Sequence, residues 1–182
     1  VLEDSDRARK VAETYRERYK SLIVELKSYL PTLFYEHGFT TLANEMIVEL
    51  CSPSNPRRDY PENSFTVIEH ITRGLMGIDP DAVSGKILTL SRLETLDDWV
   101  ELSNIPALGQ RFTVTHNGKV SSSIANKGTL PITWQACFYG LYPVIYIDGR
   151  PKPSTQMKRD GREVSFVNVP VPAGANRTAT IK

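Results

Sequence analysis

EHITRGLMGIDPDAVSGKILTLSRL (residues 69–93) contains the change of period on which the reading of the fold turns. Upstream, Phe65, Ile68, Ile71 and Leu75 recur at the spacing of one helical face. Downstream, Leu88 and Leu90 alternate with polar neighbours, as in a half-buried strand. Between the two periods, Pro80 fixes its own backbone and lacks a donor, and Gly85 permits a sharp turn into the first strand. Segment 79–85 therefore reads as a stiff bridge, with a helical segment over 1–78 and a β-sandwich over 86–182.

Working back from the bridge, residues 5–30 predict one long helix. Tyr15, Tyr19, Leu22, Leu26 and Tyr29 line one face, Ser5 caps the start and Pro31 stops the end. A loop, PTLFYEHG (31–38), leads to a second helix, FTTLANEMIVELC (39–51), with Thr40 or Thr41 as cap and Leu42, Met46 and Leu50 on its buried side. The proline-rich stretch SPSNPRRDYPEN (52–63) is irregular, and a third helix follows Ser64. Three amphipathic helices with no fourth element leave apolar faces without a partner, as in a fragment of a larger helical assembly.

Working forward, LPITWQACFYG (130–140) sets Ile132, Trp134, Ala136 and Phe138 on one side, and WVELSNI (99–105) turns Val100 and Leu102 inward. Trp99 then shares the polar side with Glu101 and Ser103. It is either a platform for a sugar ring or a contact to the helical segment. Asn117-Gly118 is the dipeptide favoured in two-residue hairpins, where both positions take positive φ. Simple pairing there sets Phe112 and Val114 opposite Ser123 and Ser121, which a bulge would repair. Asp148-Gly149 and Asp160-Gly161 mark further turns. About seven short strands between such turns predict an antiparallel sandwich.

Composition narrows the function. The formal charge is +1, with 10 Lys/Arg against 14 Asp/Glu in residues 1–85 and 12 against 7 in residues 86–182. No clustered basic face calls for nucleic acid. The longest apolar run, ACFYGLYPVIYI (136–147), is too short for a membrane span and is broken by Gly and Pro. The start, VLEDSDRARK, has no apolar leader core and no initiator Met, which reads as a mature chain or a piece of a longer one. Cys51 and Cys137 read as two free buried thiols. His37, His70 and His116 are far apart, so no metal and no cofactor is expected. Nucleophile-elbow, phosphate-loop and dinucleotide patterns are absent. Asn176-Arg177-Thr178 is a formal glycosylation sequon, read as incidental.

The remaining chemistry lies in FYEHGFTTLANEMIVE (34–49). Glycoside hydrolysis needs carboxylates beside aromatic surfaces, one acid to protonate a leaving oxygen and a second group to activate water. Glu36 sits among Phe34, Tyr35 and His37. Glu45 and Glu49 lie one helical turn apart. By periodicity Glu45 and Glu49 read as solvent-facing helix residues, which leaves Glu36 as the catalytic candidate of the residues themselves and His37, Tyr35 and Trp99 as the candidates for substrate contact. Glu69, His70 and Arg73 read as ordinary polar-face residues.

The order of GFTTLANE (38–45), NSF (63–65) and GIDPDAVSGKI (77–87), followed by a β-sandwich, resembles the C-terminal end of bacterial α-L-rhamnosidase-like glycoside hydrolases, six-hairpin enzymes. The resemblance covers residues 33–105 by motif. It implies an α+β chain made of the final helices of an (α/α)6 barrel and a C-terminal antiparallel β-sandwich that braces them. Gly38, Thr40 and Thr41 match the family's Gly-x-Thr-Thr, and the catalytic base would fall on Glu45. Asn44 stands where the family has tryptophan, and Thr66-Val67 where it has histidine after Asn-Ser-Phe. Glu36 stays the rival base. The implied partners are carbohydrate and the remaining barrel helices, from the parent protein or another chain. The implied location is periplasmic or secreted, or else cytoplasmic. With the general acid elsewhere, the chain alone is expected to be inactive. The alternative function is a non-catalytic carbohydrate-binding or protein-interaction module.

Overall fold

The computed structural model describes residues 5–182; the leader reading at 1–4 and the expected side-chain cap at Ser5 lie outside the described residues and side chains. Two compact units are present, Val1–Leu75 and Met76–Lys182.

In the first unit, α1 (Ser5–Arg18), α2 (Val24–Lys27), α3 (Leu30–Glu36), α4 (Thr40–Cys51) and α5 (Pro61–Glu69) are joined by short connections, with a 3-10 turn at Tyr19–Ser21 and a π-helical turn at His70–Leu75. The long helix expected over 5–30 does not form. Leu22 and Ile23 are extended, with ψ of 148° and 156°, and they redirect the chain. Pro31 starts a helix instead of stopping one, since its missing N–H falls in the first turn of α3, where that donor has no helical acceptor. Leu30, Phe34 and Tyr35 of α3 pack with Ala43 and Met46 of α4 and Ala12 of α1 in one small core. Phe34 and Phe39 meet edge to face at 6.1 Å, and the Arg16 guanidinium lies 4.9 Å from the Phe39 ring centre. The cap of α4 is Phe39 rather than either threonine.

These elements overturn the expected final helices of an (α/α)6 barrel. The longest helix has 14 residues, the others are shorter, and the chain is mostly β. Paired long hairpins need uninterrupted amphipathic faces. Here the face is broken at Leu22 and Ile23, and its outer residues Leu26 and Tyr29 stay exposed.

The second unit contains a five-stranded and a six-stranded sheet. The first has the order β1-β2-β6-β10-β9, formed by β1 (Asp79–Asp81), β2 (Lys86–Leu90), β6 (Ile132–Tyr139), β10 (Arg162–Val171) and β9 (Thr155–Arg159). The second has the order β3-β4-β5-β11-β7-β8, formed by β3 (Trp99–Ala107), β4 (Gln110–Asn117), β5 (Ser121–Asn126), β11 (Asn176–Thr180), β7 (Val144–Ile147) and β8 (Arg150–Pro153). Segment 79–85 is itself part of a hairpin, with Asp79 opposite Leu88. The Asp81 carboxylate holds its turn by accepting from the Val83 and Ser84 amides and the Ser84 hydroxyl. The arrangement is not purely antiparallel, because β2 runs parallel to β6.

Alternation builds the core. Ile132, Trp134, Ala136 and Phe138 of β6 meet Phe112 and Val114 of β4, Ile124 of β5 and Ile145 of β7 between the sheets. The Trp134 indole N–H, fully buried, donates to Thr89 Oγ1 at 2.9 Å. Leu88 and Leu90 occupy a second cluster with Cys137 and Val164.

Candidate functional site

The six-stranded sheet positions the best candidate site on its outer face. On β3, β4, β5 and β11 the core-side residues alternate with residues that face out as a set. On β3 these are Trp99, Glu101 and Ser103; on β4, Thr113, Thr115 and Asn117; on β5, Ser121, Ser123 and Ala125. Asn176, Thr178 and Thr180 continue the set on β11. Register aligns them in rows. Glu101 lies opposite Thr115, Thr115 opposite Ser123, and Ser123 opposite Thr178. The next row runs Trp99, Asn117, Ser121, Thr180 and Tyr146, across β3, β4, β5, β11 and β7.

The first row floors an open hollow of about 380 Å³, whose rim includes Lys127 and Asn176. Glu101 anchors one side, accepting from Ser103 Oγ at 2.8 Å and Thr115 Oγ1 at 3.1 Å. Those bonds hold the carboxylate against the sheet. Beside it, Trp99 is 70% exposed, an indole on a surface otherwise made of hydroxyls and amides. A surface of this kind presents one broad apolar plane and many small donors and acceptors, which is the chemistry of a polyhydroxylated ligand with an apolar C–H face. Asn176 and Thr178 of the sequon both line the hollow.

The helical unit holds the other candidates. Tyr35 is buried at 1% exposure, a core residue, with its hydroxyl donating to Asn44 Oδ1 at 2.5 Å. Burial pushes that hydroxyl far above the usual tyrosine range, and packing in the helical core keeps the ring from the surface. Glu36 and His37, both half-buried, follow it at the C-terminal end of α3, and the His37 amide donates to Leu33 O. Glu45 is exposed on α4, next to Asn44. The Tyr35–Asn44 bond ties α3, which ends at Glu36, to α4, which carries Glu45 mid-helix. Glu49 accepts from the nearly buried Lys27 ammonium at 2.6 Å.

Two buried histidines are used for structure. His70, read from the sequence as a polar-face residue, is 3% exposed. Its Nε2–H donates to Ser28 O at 2.6 Å, and the Thr32 hydroxyl donates to its Nδ1 at 2.7 Å. His116 repeats the pattern in the β unit, donating to Met76 O at 3.0 Å and accepting from Ser122 Oγ at 2.7 Å. Burial lowers the pKa of both, that of His116 to about 4, so each is a neutral imidazole in a fixed tautomer.

Sequence reasoning missed a buried charge cluster in the β unit. Arg92, 3% exposed, donates to Tyr139 Oη at 3.1 Å and to Asp160 Oδ2 at 2.9 Å, and Tyr139 donates to the same oxygen at 2.6 Å. Burial alone would raise the Asp160 carboxyl, but the Arg92 guanidinium and the Tyr139 hydroxyl hold it below the usual range. The Arg162 guanidinium covers the Tyr139 ring at 3.5 Å. This cluster clamps the Asp160-Gly161 turn to the segment after β2. Tyr146 was missed too. Only the β11–β7 register reveals its place in the Trp99 row, and nothing local in the sequence encodes a pairing between strands that distant.

Among the described residues, no group of three or more His, Cys, Asp or Glu is placed to hold a metal ion, and no helix is long and apolar enough to cross a membrane. Comparison with known protein families, curated proteins and solved structures gave no match.

Proposed function

We propose that this chain binds carbohydrate on the outer face of its six-stranded sheet. The observation that carries the reading is Trp99, exposed on β3 beside the outward polar residues Glu101 and Ser103, at the end of a row of amide and hydroxyl side chains. A pyranose ring stacks its C–H face on the indole and directs its hydroxyls to Asn117, Ser121 and the hollow beside Glu101. Binding of this kind needs no acid–base pair, so the β unit acts as a non-catalytic module. The motif order in 38–45, 63–65 and 77–87 supports placing it in a glycan-degrading protein of the rhamnosidase-like kind. Glycan-array binding by the full chain tests the proposal. Trp99→Ala is expected to weaken binding at least about tenfold, a difference of about 1.4 kcal/mol, with unchanged circular dichroism. Binding that survives the substitution unchanged removes the proposal.

A second reading keeps the glycosidase chemistry. It is supported by Glu36 on α3 and Glu45 on α4, two helices joined by the Tyr35–Asn44 bond. In the active enzyme containing this chain, Glu45→Gln or Glu36→Gln is then expected to lower kcat by at least about a hundredfold. Wild-type turnover in both variants removes it.

A further inference from the structure

The row that begins at Trp99 ends on a second aromatic residue. Trp99 on β3 pairs with Asn117, Asn117 with Ser121, Ser121 with Thr180, and Thr180 with Tyr146 on β7. Four inter-strand steps separate the two rings, about 19 Å, the span of about four linked pyranose units laid across the strands. The side chains between them are short and polar, so nothing in the row rises to block a chain lying flat on the sheet.

The two ends differ in charge. Beside Trp99 stand Asp97 and Asp98, in the segment leading into β3, and Glu101. Beside Tyr146, the Lys182 ammonium sits 4.4 Å from the ring centre. A uniformly neutral ligand has no use for this gradient, and a uniformly anionic one is repelled at the Trp99 end. The surface fits a chain that is neutral at one end and acidic at the other.

We propose that the ligand is an oligosaccharide of about four units that crosses the strands from Trp99 to Tyr146 and places an acidic sugar at the Tyr146–Lys182 end. The inference rests on carbohydrate binding by this face and adds its length, direction and charge. Trp99 grips the neutral end by stacking. Lys182 attracts the carboxylate of a uronic acid and fixes which way the chain lies.

The test is an array of linear oligosaccharides from disaccharide to hexasaccharide, each uronic acid-containing chain beside its carboxyl-reduced counterpart. The full-length wild type and the Trp99→Ala, Tyr146→Ala and Lys182→Gln variants serve as probes. Affinity is expected to rise with length and level off at the tetrasaccharide, and the acidic form is expected to bind about fivefold tighter than the reduced one. Lys182→Gln should erase that preference, and Tyr146→Ala should remove the gain beyond the disaccharide while leaving Trp99-dependent binding. Trp99-dependent binding that ignores length, or is equal for acidic and reduced chains, overturns this inference and leaves carbohydrate binding standing. The absence of any Trp99-dependent binding removes both.

Discussion

Gly77 shows how narrowly a single backbone position is specified. Its φ is 55°, and a Cβ built there would lie 2.2 Å from the Leu90 carbonyl oxygen, inside any tolerable contact. Gly85 has a similar φ of 63° but nothing within 4 Å. The pair separates conformational strain from steric exclusion. Gly85→Ala is expected to lose about 1 kcal/mol from the left-handed backbone alone. Gly77→Ala should lose about 3 kcal/mol or more in urea unfolding, because backbone atoms must move. Equal losses would mean that the approach to Leu90 is relaxed at little expense. The turn at Gly85 is legible in the sequence, following as it does Pro80 and Asp81 and preceding the alternating strand. The exclusion at Gly77 is not, because Leu90 comes close only when β2 folds back. Trp99 is the opposite case: two-residue alternation alone assigns it to the polar side, where the structure has it.

Among elements, strands were more legible than helices, for a physical reason. Facing a shared core enforces alternation, so Ile132, Trp134, Ala136 and Phe138 declare themselves. The helical unit has no breaker between Arg18 and Leu30, and its division at Leu22 and Ile23 comes from packing of α3 on α4. Turns followed backbone chemistry more than dipeptide lore. Asp148-Gly149 and Asp160-Gly161 have both residues at positive φ, whereas at Asn117-Gly118 only the glycine does. Asn117 stays in β4 opposite Ser121, so Val114 meets Ile124 without the expected bulge. His116 links β4 to β5 and to the segment before β1, and this gives those elements a pH dependence. Its folded pKa of about 4 lies below the unfolded 6.5, so the unfolded chain takes up the proton first as pH falls. Stability is expected to be fully present above pH 6.5 and to drop by about 3 kcal/mol as pH falls towards 4. His70 acts in the same direction. Urea melts across that range check the slope, and a flat profile would mean that the imidazoles protonate freely in the native state.

Across the whole molecule, the two cysteines make a built-in pair of reporters, one in each unit. Both were expected to be buried. Cys51 is exposed at the end of α4, while burial raises the Cys137 thiol to about 12. A thiol reagent at neutral pH is expected to modify Cys51 at once and Cys137 only on unfolding of the β unit. Rapid modification of both in native buffer would contradict the packing of β6. The parallel pairing of β2 with β6 carries a consequence for how the chain is made. Lys86 can find Thr133 only after β3, β4 and β5, which belong to the other sheet, have been synthesised. During translation β2 waits at the ribosome with Ile87, Leu88 and Leu90 unclaimed and only the short β1 beside it. The five-stranded sheet therefore closes late, through contacts distant in sequence, and the growing chain is at its most vulnerable to association with its neighbours during that delay.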